Sequence, residues 1–416
     1  MRLPSGVRDF LQRAASRRVT LADRVTRVFE AWGYARIITP VFECADVLER
    51  GLGDGARAAA IRFVEPGTGE VVALRPDITA QVAGLVATRL AEHEAPFRLC
   101  YEGPVYRMSG RLADELGQRE ILQAGIELVD HGEGRALDLD CEVLAVAAAT
   151  LAAAQLPATR LDVGHVAPVR HVLGAVADDD TRARLAAALA RKDRAGLRVC
   201  ARELPQGIAP LAEALGSLYG PAHATLERAL ALPWPADVLA SLEDIRSTLG
   251  AFTELADDPQ VAVAMTLDLG EIRGFDYYTG MRFAGYAHGA PDAVLRGGRY
   301  DALIGRYGRA ARATGFAVDL EGLAQAQRAS GIAAPAQAPG VAVAGPGAPA
   351  MARALRALGL RALASASVPA ASWLRGAGLD AVLDLASGEL VRADGTRTVI
   401  RADASAIAQL LSQGGS

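Results

Sequence analysis

The chain has 416 residues, of which 51% are apolar and 22% are charged, and its formal net charge is −4. This composition is typical of an ordinary globular protein and lacks the strong basic excess of a nucleic-acid-binding protein. A chain of this length can form two or three domains with a large hydrophobic core.

The four cysteines lie far apart without a Cys-x-x-Cys spacing, and the six histidines lack the spacing of metal ligands. We therefore expect no disulfide framework, no metal site and a reducing environment. The N-terminal residues contain no apolar run typical of a signal peptide, and the most apolar predicted helix, residues 143–154, is too short to cross a bilayer. These features predict a cytoplasmic protein with no membrane partner.

The first hundred residues predict a long helix over residues 12–32, a strand over residues 34–38 that ends at Thr39-Pro40, and a short strand over residues 71–74. Asp77 and Thr79 follow that short strand directly. One interpretation is that they hold the ammonium group of a ligand. A plain N-cap of the helix that begins near residue 80 explains them equally well.

Two strands are predicted next, over residues 97–107 and 119–129. In the second, period-two alternation puts Gln123, Gly125 and Glu127 on one face and apolar residues on the other. That polar face is either exposed to solvent or lines a polar pocket, and Gly125 leaves room between the two polar side chains.

Helical sequence dominates residues 165–258 and predicts a small helical insertion, in which we find no chemistry beyond a solvated face. A glycine-flanked stretch, residues 270–280, then concentrates charged and aromatic side chains between two predicted strands. It is either the tip of a hairpin or a turn that presents Arg273 and the tyrosines Tyr277 and Tyr278 to a pocket. Further on, the glycine pair at residues 297–298 predicts a turn.

The composition of residues 333–339 predicts a linker. Alternating short strands and helices over residues 340–416 predict a small α/β domain.

Taken together, several segments resemble the histidyl-tRNA synthetase family of class II aminoacyl-tRNA synthetases over essentially the full length. Residues 3–9 match the family's N-terminal signature, and residues 270–280 match its histidine-specific segment. Class II motifs 1, 2 and 3 are matched, in that order, by residues 12–40, 103–127 and 315–323.

The resemblance implies a fold of the α+β class. Its core, residues 1–332, is a class II synthetase-like antiparallel sheet flanked by helices, with a helical insertion at about residues 165–258. Motif 1 implies dimerisation. Residues 340–416 resemble a degenerate anticodon-binding domain: with seven arginines, five acidic residues and Trp373 as the only aromatic, they lack the basic, aromatic-rich surface that reads tRNA, so no tRNA partner is expected.

Two departures from the family pattern concern ATP. Arg107 of motif 2 is followed by Met108, Ser109 and Gly110, so the acceptor for adenine's amino group is missing. Gly322 stands where motif 3 ends in an arginine that grips the γ-phosphate. Losing one such preorganised donor costs on the order of 10²–10³ in rate, so adenylation should be negligible and no catalytic residue is assigned.

The residues on the histidine side of the site are retained. The resemblance implies that they hold the ammonium, carboxylate and imidazole groups of histidine. An acidic side chain suits the ammonium group, a guanidinium suits the carboxylate, and a glutamate and phenols suit the ring nitrogens. The predicted histidine-binding residues are Asp77, Thr79, Arg107, Gln123, Glu127, Arg273, Tyr277 and Tyr278.

A histidine pocket without ATP machinery resembles the regulatory-subunit family of ATP phosphoribosyltransferase. The resemblance implies a hetero-oligomer with the short-form catalytic subunit, which the chain activates in the first step of histidine biosynthesis, with feedback inhibition by histidine and no cofactor of its own. The alternatives are a residual histidyl-tRNA synthetase and a free-standing histidine-binding module.

Overall fold

In the computed structural model, the described part of the chain comprises residues 3–108, 118–132, 136–255, 263–274, 277–335, 337–401 and 403–413. The chain divides into two compact units between Ala334 and Pro335. In the described ranges, no helix is both long enough and apolar enough to cross a membrane.

The first unit is built on a nine-stranded sheet and a separate three-stranded sheet. Its strands are β1 (Ala35–Arg36), β2 (Phe42–Cys44), β3 (Ile61–Val64), β4 (Val71–Leu74), β5 (Phe97–Tyr106), β6 (Glu120–Asp130), β7 (Thr159–His165), β8 (Tyr219–Pro221), β9 (Ala264–Asp268), β10 (Met281–Ala287), β11 (Leu295–Arg299) and β12 (Arg312–Asp319). The large sheet has the order β1-β5-β6-β12-β11-β10-β7-β9-β8, and the small one has the order β2-β4-β3. Neighbours in the large sheet are antiparallel except at the pairs β1–β5 and β7–β9. The predicted α+β class with a largely antiparallel sheet is confirmed.

Helices cover this sheet and complete its core. They are α1 (Gln12–Ala31), α2 (Ala45–Glu49), α3 (Asp54–Ala59), α4 (Thr79–Thr88), α5 (Ala136–Ala153), α6 (Val166–Gly174), α7 (Asp179–Ala190), α8 (Arg194–Ala201), α9 (Ala209–Leu215), α10 (Ala222–Leu230), α11 (Ala236–Leu255) and α12 (Leu320–Ala329). Every residue of α5 from 143 to 151 is buried, as expected of a helix that is apolar on all sides. Its small alanines allow it to pack against the sheet, α1 and α11 at once.

The stretch of residues 270–280 joins β9 to β10, but these two strands are not neighbours. β7 lies between them, parallel to β9 and antiparallel to β10. The hairpin interpretation is therefore wrong, although a strand does enter and leave the stretch. Its far end is fixed to the end of β7, since the Val166 amide donates to the Gly280 carbonyl at 3.2 Å.

The turn predicted at Gly297 and Gly298 is also wrong, because both residues lie inside β11. A Cβ at Gly297 would come within 2.5 Å of the Gly315 carbonyl oxygen and of the Phe316 side chain. Glycine is needed here because neighbouring chain segments approach closely, which a local sequence pattern does not distinguish from a turn.

His165 ends β7 and caps α6. Its Nδ1 accepts a hydrogen bond from the Ala167 amide at 3.1 Å, so the cap requires a neutral imidazole. Burial, together with the positive charges of Arg170, Arg299 and Arg282, lowers the pKa of His165 to about 4. This cap lies beside Val166 and so supports the end of the 270–280 stretch.

We expect acid to destabilise the first unit through this cap. Since the folded pKa lies below the unfolded value near 6.5, stability is complete above that value and is lost as the pH falls towards 4. His165→Asn keeps a cap acceptor that does not titrate, and should remove an acid-dependent loss of up to about 3 kcal/mol. Urea unfolding at several pH values measures this loss of stability.

His223→Asn, at an exposed histidine on α10, is the control and should keep the wild-type dependence of stability on pH. The same dependence in His165→Asn would contradict the assigned role of His165.

The second unit is a small α/β domain. It contains β13 (Gly340–Ala344), α13 (Ala348–Ala357), β14 (Arg361–Ser365), α14 (Ala371–Ala377), β15 (Ala381–Asp384), β16 (Glu389–Arg392), β17 (Arg397–Val399) and α15 (Ala404–Gln413). The strand order is β14-β13-β15-β16-β17; the first three are parallel and the last two continue antiparallel. The last helix, α15, contributes Ile407 and Leu411 to the core.

Candidate functional site

Glu127 lies at the centre of a buried polar group on the large sheet. It belongs to β6 and is 1% exposed. The Tyr101 hydroxyl on β5 donates to Glu127 Oε1 at 3.1 Å, and the Tyr300 hydroxyl, just after β11, donates to Oε2. Three separate segments therefore converge on one carboxylate.

Two glycines make room for this arrangement. A Cβ at Gly315, which pairs with Glu127 across β12 and β6, would lie 2.0 Å from Glu127 Oε2 and 2.7 Å from the Tyr300 hydroxyl. A Cβ at Gly125 would lie 2.5 Å from the Tyr101 hydroxyl. The space expected at Gly125 thus exists, and the Tyr101 phenol occupies it.

The carboxyl of Glu127 is costly to ionise in this environment. Burial raises the pKa of Glu127 well above its usual range, and the negative charge of Asp77 raises it further, against the hydrogen bonds from Thr79 and Tyr101. Burial likewise raises the pKa of Tyr101. A cationic or N–H-bearing ligand would relieve this cost, because it would supply the positive charge or donors that the site lacks.

Asp77 and Thr79 lie where β4 passes into α4. Asp77 Oδ1 accepts from the Thr79 amide at 2.9 Å, and the Thr79 hydroxyl lies 3.4 Å from that of Tyr101. Asp77 therefore satisfies an amide of the first helical turn and also faces the Glu127 group. The plain N-cap interpretation is wrong, because the N-cap of α4 is Ile78. Ligand binding by Asp77 and Thr79 stays a prediction.

Tyr277 and Tyr278 form an aromatic wall with Tyr300. The rings of Tyr277 and Tyr278 are 5.3 Å apart and nearly perpendicular, and those of Tyr277 and Tyr300 are 5.4 Å apart. Burial raises the pKa of both Tyr277 and Tyr278, and Asp77 raises it further. These phenols therefore remain protonated hydrogen-bond donors beside the carboxylates.

Gln123 carries an unused acceptor. It lies four residues before Glu127 on the same face of β6 and is 9% exposed. Among the described residues, its buried Oε1 has no hydrogen-bond partner. A buried polar atom without a partner costs about 1–3 kcal/mol, so this oxygen is suited to a donor on a ligand.

Arg273 is held by neighbouring carboxylates, whereas Arg107 is hydrogen-bonded next to Asp77. Arg273 has a side chain 59% exposed and pairs with Glu271 at 2.7 Å and with Asp292 at 3.7 Å. Burial alone would raise the pKa of Glu271, but the hydrogen bonds and charge of Arg273 lower it to about 2. Arg107 Nε donates to the Pro76 carbonyl at 2.9 Å, next to Asp77. The geometry does not bring Arg273 into hydrogen-bonding contact with the group around Glu127.

The sequence predictions omitted Tyr101 and Tyr300. Tyr101 pairs with Gly125 across β5 and β6, and this pairing of a phenol with a glycine was the available signal. Of the departures in the ATP motifs, Ser109 and Gly110 lie outside the described residues. Gly322 lies in the first turn of α12, where its amide donates to Asp319 Oδ1 at 3.0 Å.

Comparison with known proteins matches the chain to a family. The family model described as histidyl-tRNA synthetase matches residues 6–323. An ATP phosphoribosyltransferase regulatory subunit of Anaeromyxobacter dehalogenans is 44% identical over 335 residues, covering 79% of this chain and 92% of the relative. The protein of the same name from Geobacter sulfurreducens is 37% identical over 331 residues, covering 78% and 72%.

Solved structures agree on the fold. A Bacillus halodurans protein described as an ATP phosphoribosyltransferase regulatory subunit/histidyl-tRNA synthetase has a TM-score of 0.76 at 26% identity, covering 92% of this chain and 97% of that one. Histidyl-tRNA synthetase from a Nostoc species has a TM-score of 0.78 at 19% identity, covering 99% of both chains. The chain belongs to the family of ATP phosphoribosyltransferase regulatory subunits, which is related in sequence and fold to histidyl-tRNA synthetase.

Proposed function

We propose that this chain is a non-catalytic subunit that activates a short-form ATP phosphoribosyltransferase catalytic subunit in the first step of histidine biosynthesis. It also carries the feedback inhibition of that step by histidine. The observation that supports the sensing role best is Glu127, a buried carboxylate held by two tyrosines, with the unpartnered oxygen of Gln123 on the same face of β6.

Histidine suits the chemistry of this group. Its ring N–H is matched by the Glu127 carboxylate, and its ammonium by the oxygens of Gln123, Asp77 and Thr79. Tyr277 and Tyr278 provide an aromatic wall for the imidazole. Arg107, close to Asp77, is positioned better for the ligand carboxylate than Arg273, which is held by Glu271 and Asp292.

The same chain should not adenylate histidine. Gly322 offers one backbone amide, already used by Asp319, at the position where a synthetase has the arginine that binds the γ-phosphate. Nothing at this position can stabilise the charge that develops on phosphate during adenylation. The chain keeps the residues proposed to bind histidine but lacks the motif 3 arginine that binds phosphate. This combination favours a sensor over an enzyme.

Self-association as a dimer within the hetero-oligomer is part of the proposal. The segment matched to motif 1 continues from α1 into an exposed apolar run: Ile38 is 89% exposed, and Val41 and Phe42 are also exposed. Contiguous apolar residues on a surface are typical of an interface between proteins. Analytical ultracentrifugation of Ile38→Asp against wild type tests this step.

The decisive experiment mixes the full chain with its cognate short-form catalytic subunit and measures phosphoribosyl transfer to ATP. We expect the mixture to exceed the activity of the catalytic subunit alone, and histidine to suppress the increase. No activation would overturn the proposal in favour of a free-standing histidine-binding module. Histidine-dependent exchange of pyrophosphate into ATP by the chain alone would instead establish a residual synthetase.

A further inference from the structure

The helical insertion, in which the sequence predicted only a solvated face, contains an open cavity of about 700 Å³ between α8 and α9. Its lining includes three arginines. The polar lining residues are Arg194, Arg198, Arg202, Gln206, Glu213 and Ser217. A volume of this size is typical of a small-molecule site, for which the usual range is about 300–1,000 Å³.

Arg194 and Arg198 lie on one face of α8, and Arg202, the C-cap residue of that helix, continues the same row. Their spacing of four residues aligns them along the helix, while Leu197, Cys200 and Ala201 bury the opposite face. None of the three forms a salt bridge within the described residues. Other arginines of the insertion are paired, such as Arg184 with Glu203 and Arg246 with Glu227. The cavity therefore concentrates positive charge that the described protein leaves unbalanced.

This charge is local. Residues 166–255 contain ten basic and eleven acidic residues, so the insertion as a whole has no basic excess. A nucleic-acid-binding surface extends a basic footprint well beyond a single cavity. Three arginines and one carboxylate, Glu213, around a single open cavity instead match a small ligand with several negative charges.

We propose that this cavity binds a small anion that carries two or more phosphate groups, such as inorganic pyrophosphate or a nucleoside triphosphate. Guanidinium groups bind phosphate oxygens through two parallel hydrogen bonds, and they stay charged at all physiological pH values. Successive arginines rise about 6 Å along the helix axis, a spacing that suits a chain of phosphates better than a single one.

The wall of the cavity touches the segment that leads to the histidine site. Just beyond the cavity residue Ser217, the Leu218 carbonyl accepts from the Leu269 amide at 3.0 Å. At the end of α9, Leu215 packs so tightly on Gly270 that a Cβ there would lie 2.3 Å from the Leu215 carbonyl oxygen. Lys192 Nζ donates to Asp268 Oδ1 at 2.6 Å, a third link between the insertion and this segment. An anion that shifts α9 would therefore act on residues 270–280, which carry Tyr277 and Tyr278.

Calorimetry of the full chain with sodium pyrophosphate, sodium tripolyphosphate and ATP, all without divalent metal, tests the site. We expect all three to bind, and Arg198→Gln to weaken binding roughly 10- to 100-fold through the loss of charge-assisted hydrogen bonds. Glu213→Gln removes the carboxylate of the lining and should strengthen binding. The control is Arg191→Gln, an exposed arginine of the insertion that does not line the cavity, and it should leave affinity unchanged.

Each result of these titrations either supports or contradicts the anion site. No binding of any of the three anions at millimolar concentration would overturn the site, as would an equal loss of affinity in Arg191→Gln and Arg198→Gln. Equal affinity for tripolyphosphate and ATP supports recognition of phosphates alone, whereas tighter ATP binding supports an added contact with the nucleoside. Thermal unfolding of each variant verifies that it is folded.

The link to the histidine site rests on the proposed function and is tested separately. Histidine is titrated with and without saturating pyrophosphate. If pyrophosphate changes the affinity for histidine by some factor, histidine must change the affinity for pyrophosphate by the same factor. Equal affinities would overturn the link but not the anion site, and failure of histidine to bind at all would overturn the proposed function without affecting the pyrophosphate titration.

Discussion

Replacing Glu127 with glutamine is expected to weaken histidine binding at least about 10-fold while leaving the unliganded protein as stable as wild type or more stable. The loss of affinity follows because a charge-assisted hydrogen bond to the ligand contributes about 1.5–3 kcal/mol. Glutamine keeps the shape of the side chain and one oxygen acceptor for the Tyr101 or Tyr300 hydroxyl. Isothermal titration calorimetry with histidine measures the affinity.

The gain in stability has a defined pH dependence. Burial raises the folded pKa of Glu127 above its unfolded value, which lies near 4.3. The glutamate therefore contributes its full stability below the unfolded pKa and loses it as the pH rises through the folded pKa. Glutamine does not titrate, so the stability of Glu127→Gln relative to wild type should increase with pH. A relative stability that falls with pH would contradict the assigned burial of the carboxyl.

A second experiment measures proton release when histidine binds. A histidine bound with its positive charge or ring N–H at Glu127 stabilises the ionised carboxylate, so the wild-type protein should release a proton on binding. Calorimetry in buffers with different ionisation enthalpies detects that proton, and Glu127→Gln should not release it. Glu120→Gln, at a partly solvent-exposed glutamate on the same strand, is the matched control and should retain both affinity and proton release. Unchanged affinity in Glu127→Gln would refute the location of the site.

The largest effect on stability is expected from Glu321→Ala. Glu321, in the first turn of α12, accepts two hydrogen bonds from Arg18 at 2.6 Å each and a third from Arg8. Both Glu321 and Arg18 are buried. Alanine would leave the Arg18 guanidinium buried without its counter-ion, at a cost of about 3–5 kcal/mol. Urea unfolding of the full chain measures this loss.

Two variants distinguish the lost partner from lost packing. Glu321→Gln keeps the volume and one acceptor oxygen, so it should cost less than the alanine variant. The double variant Arg18→Met with Glu321→Leu removes both charges together and should recover most of the stability, because neither charge then remains buried alone. If the double variant is as unstable as Glu321→Ala, packing rather than the unpaired charge is responsible.

This ion pair also explains a feature of the N-terminal signature. Residues 3–9 were matched to the family by pattern, without a physical role. In the structure, Arg8 reaches Glu321, 313 positions later in the chain, and the Gly6 carbonyl accepts from the Arg119 amide at 2.9 Å. The signature thus connects the N-terminus to α12 and to the start of β6.

Local patterns in the sequence predicted several of the elements and the shared face of Gln123 and Glu127. Alternation along β6 put Gln123 and Glu127 on one face, and helical spacing predicted α1 and α5. Such predictions succeed because the period of an element depends on its own backbone geometry, which neighbouring residues reveal. The order of the motifs indicated the family, and the resemblance to that family predicted the antiparallel sheet.

Only the tertiary structure decided which residues meet. Tyr101 and Tyr300 donate to Glu127 from 26 and 173 positions away, β7 separates β9 from β10, and residues of α8 and α9 line one open cavity. Each of these depends on strand register, strand order or helix packing, which distant segments set together. Local periodicity contains no information about them, because the same strand keeps its alternation whichever partner lies beside it.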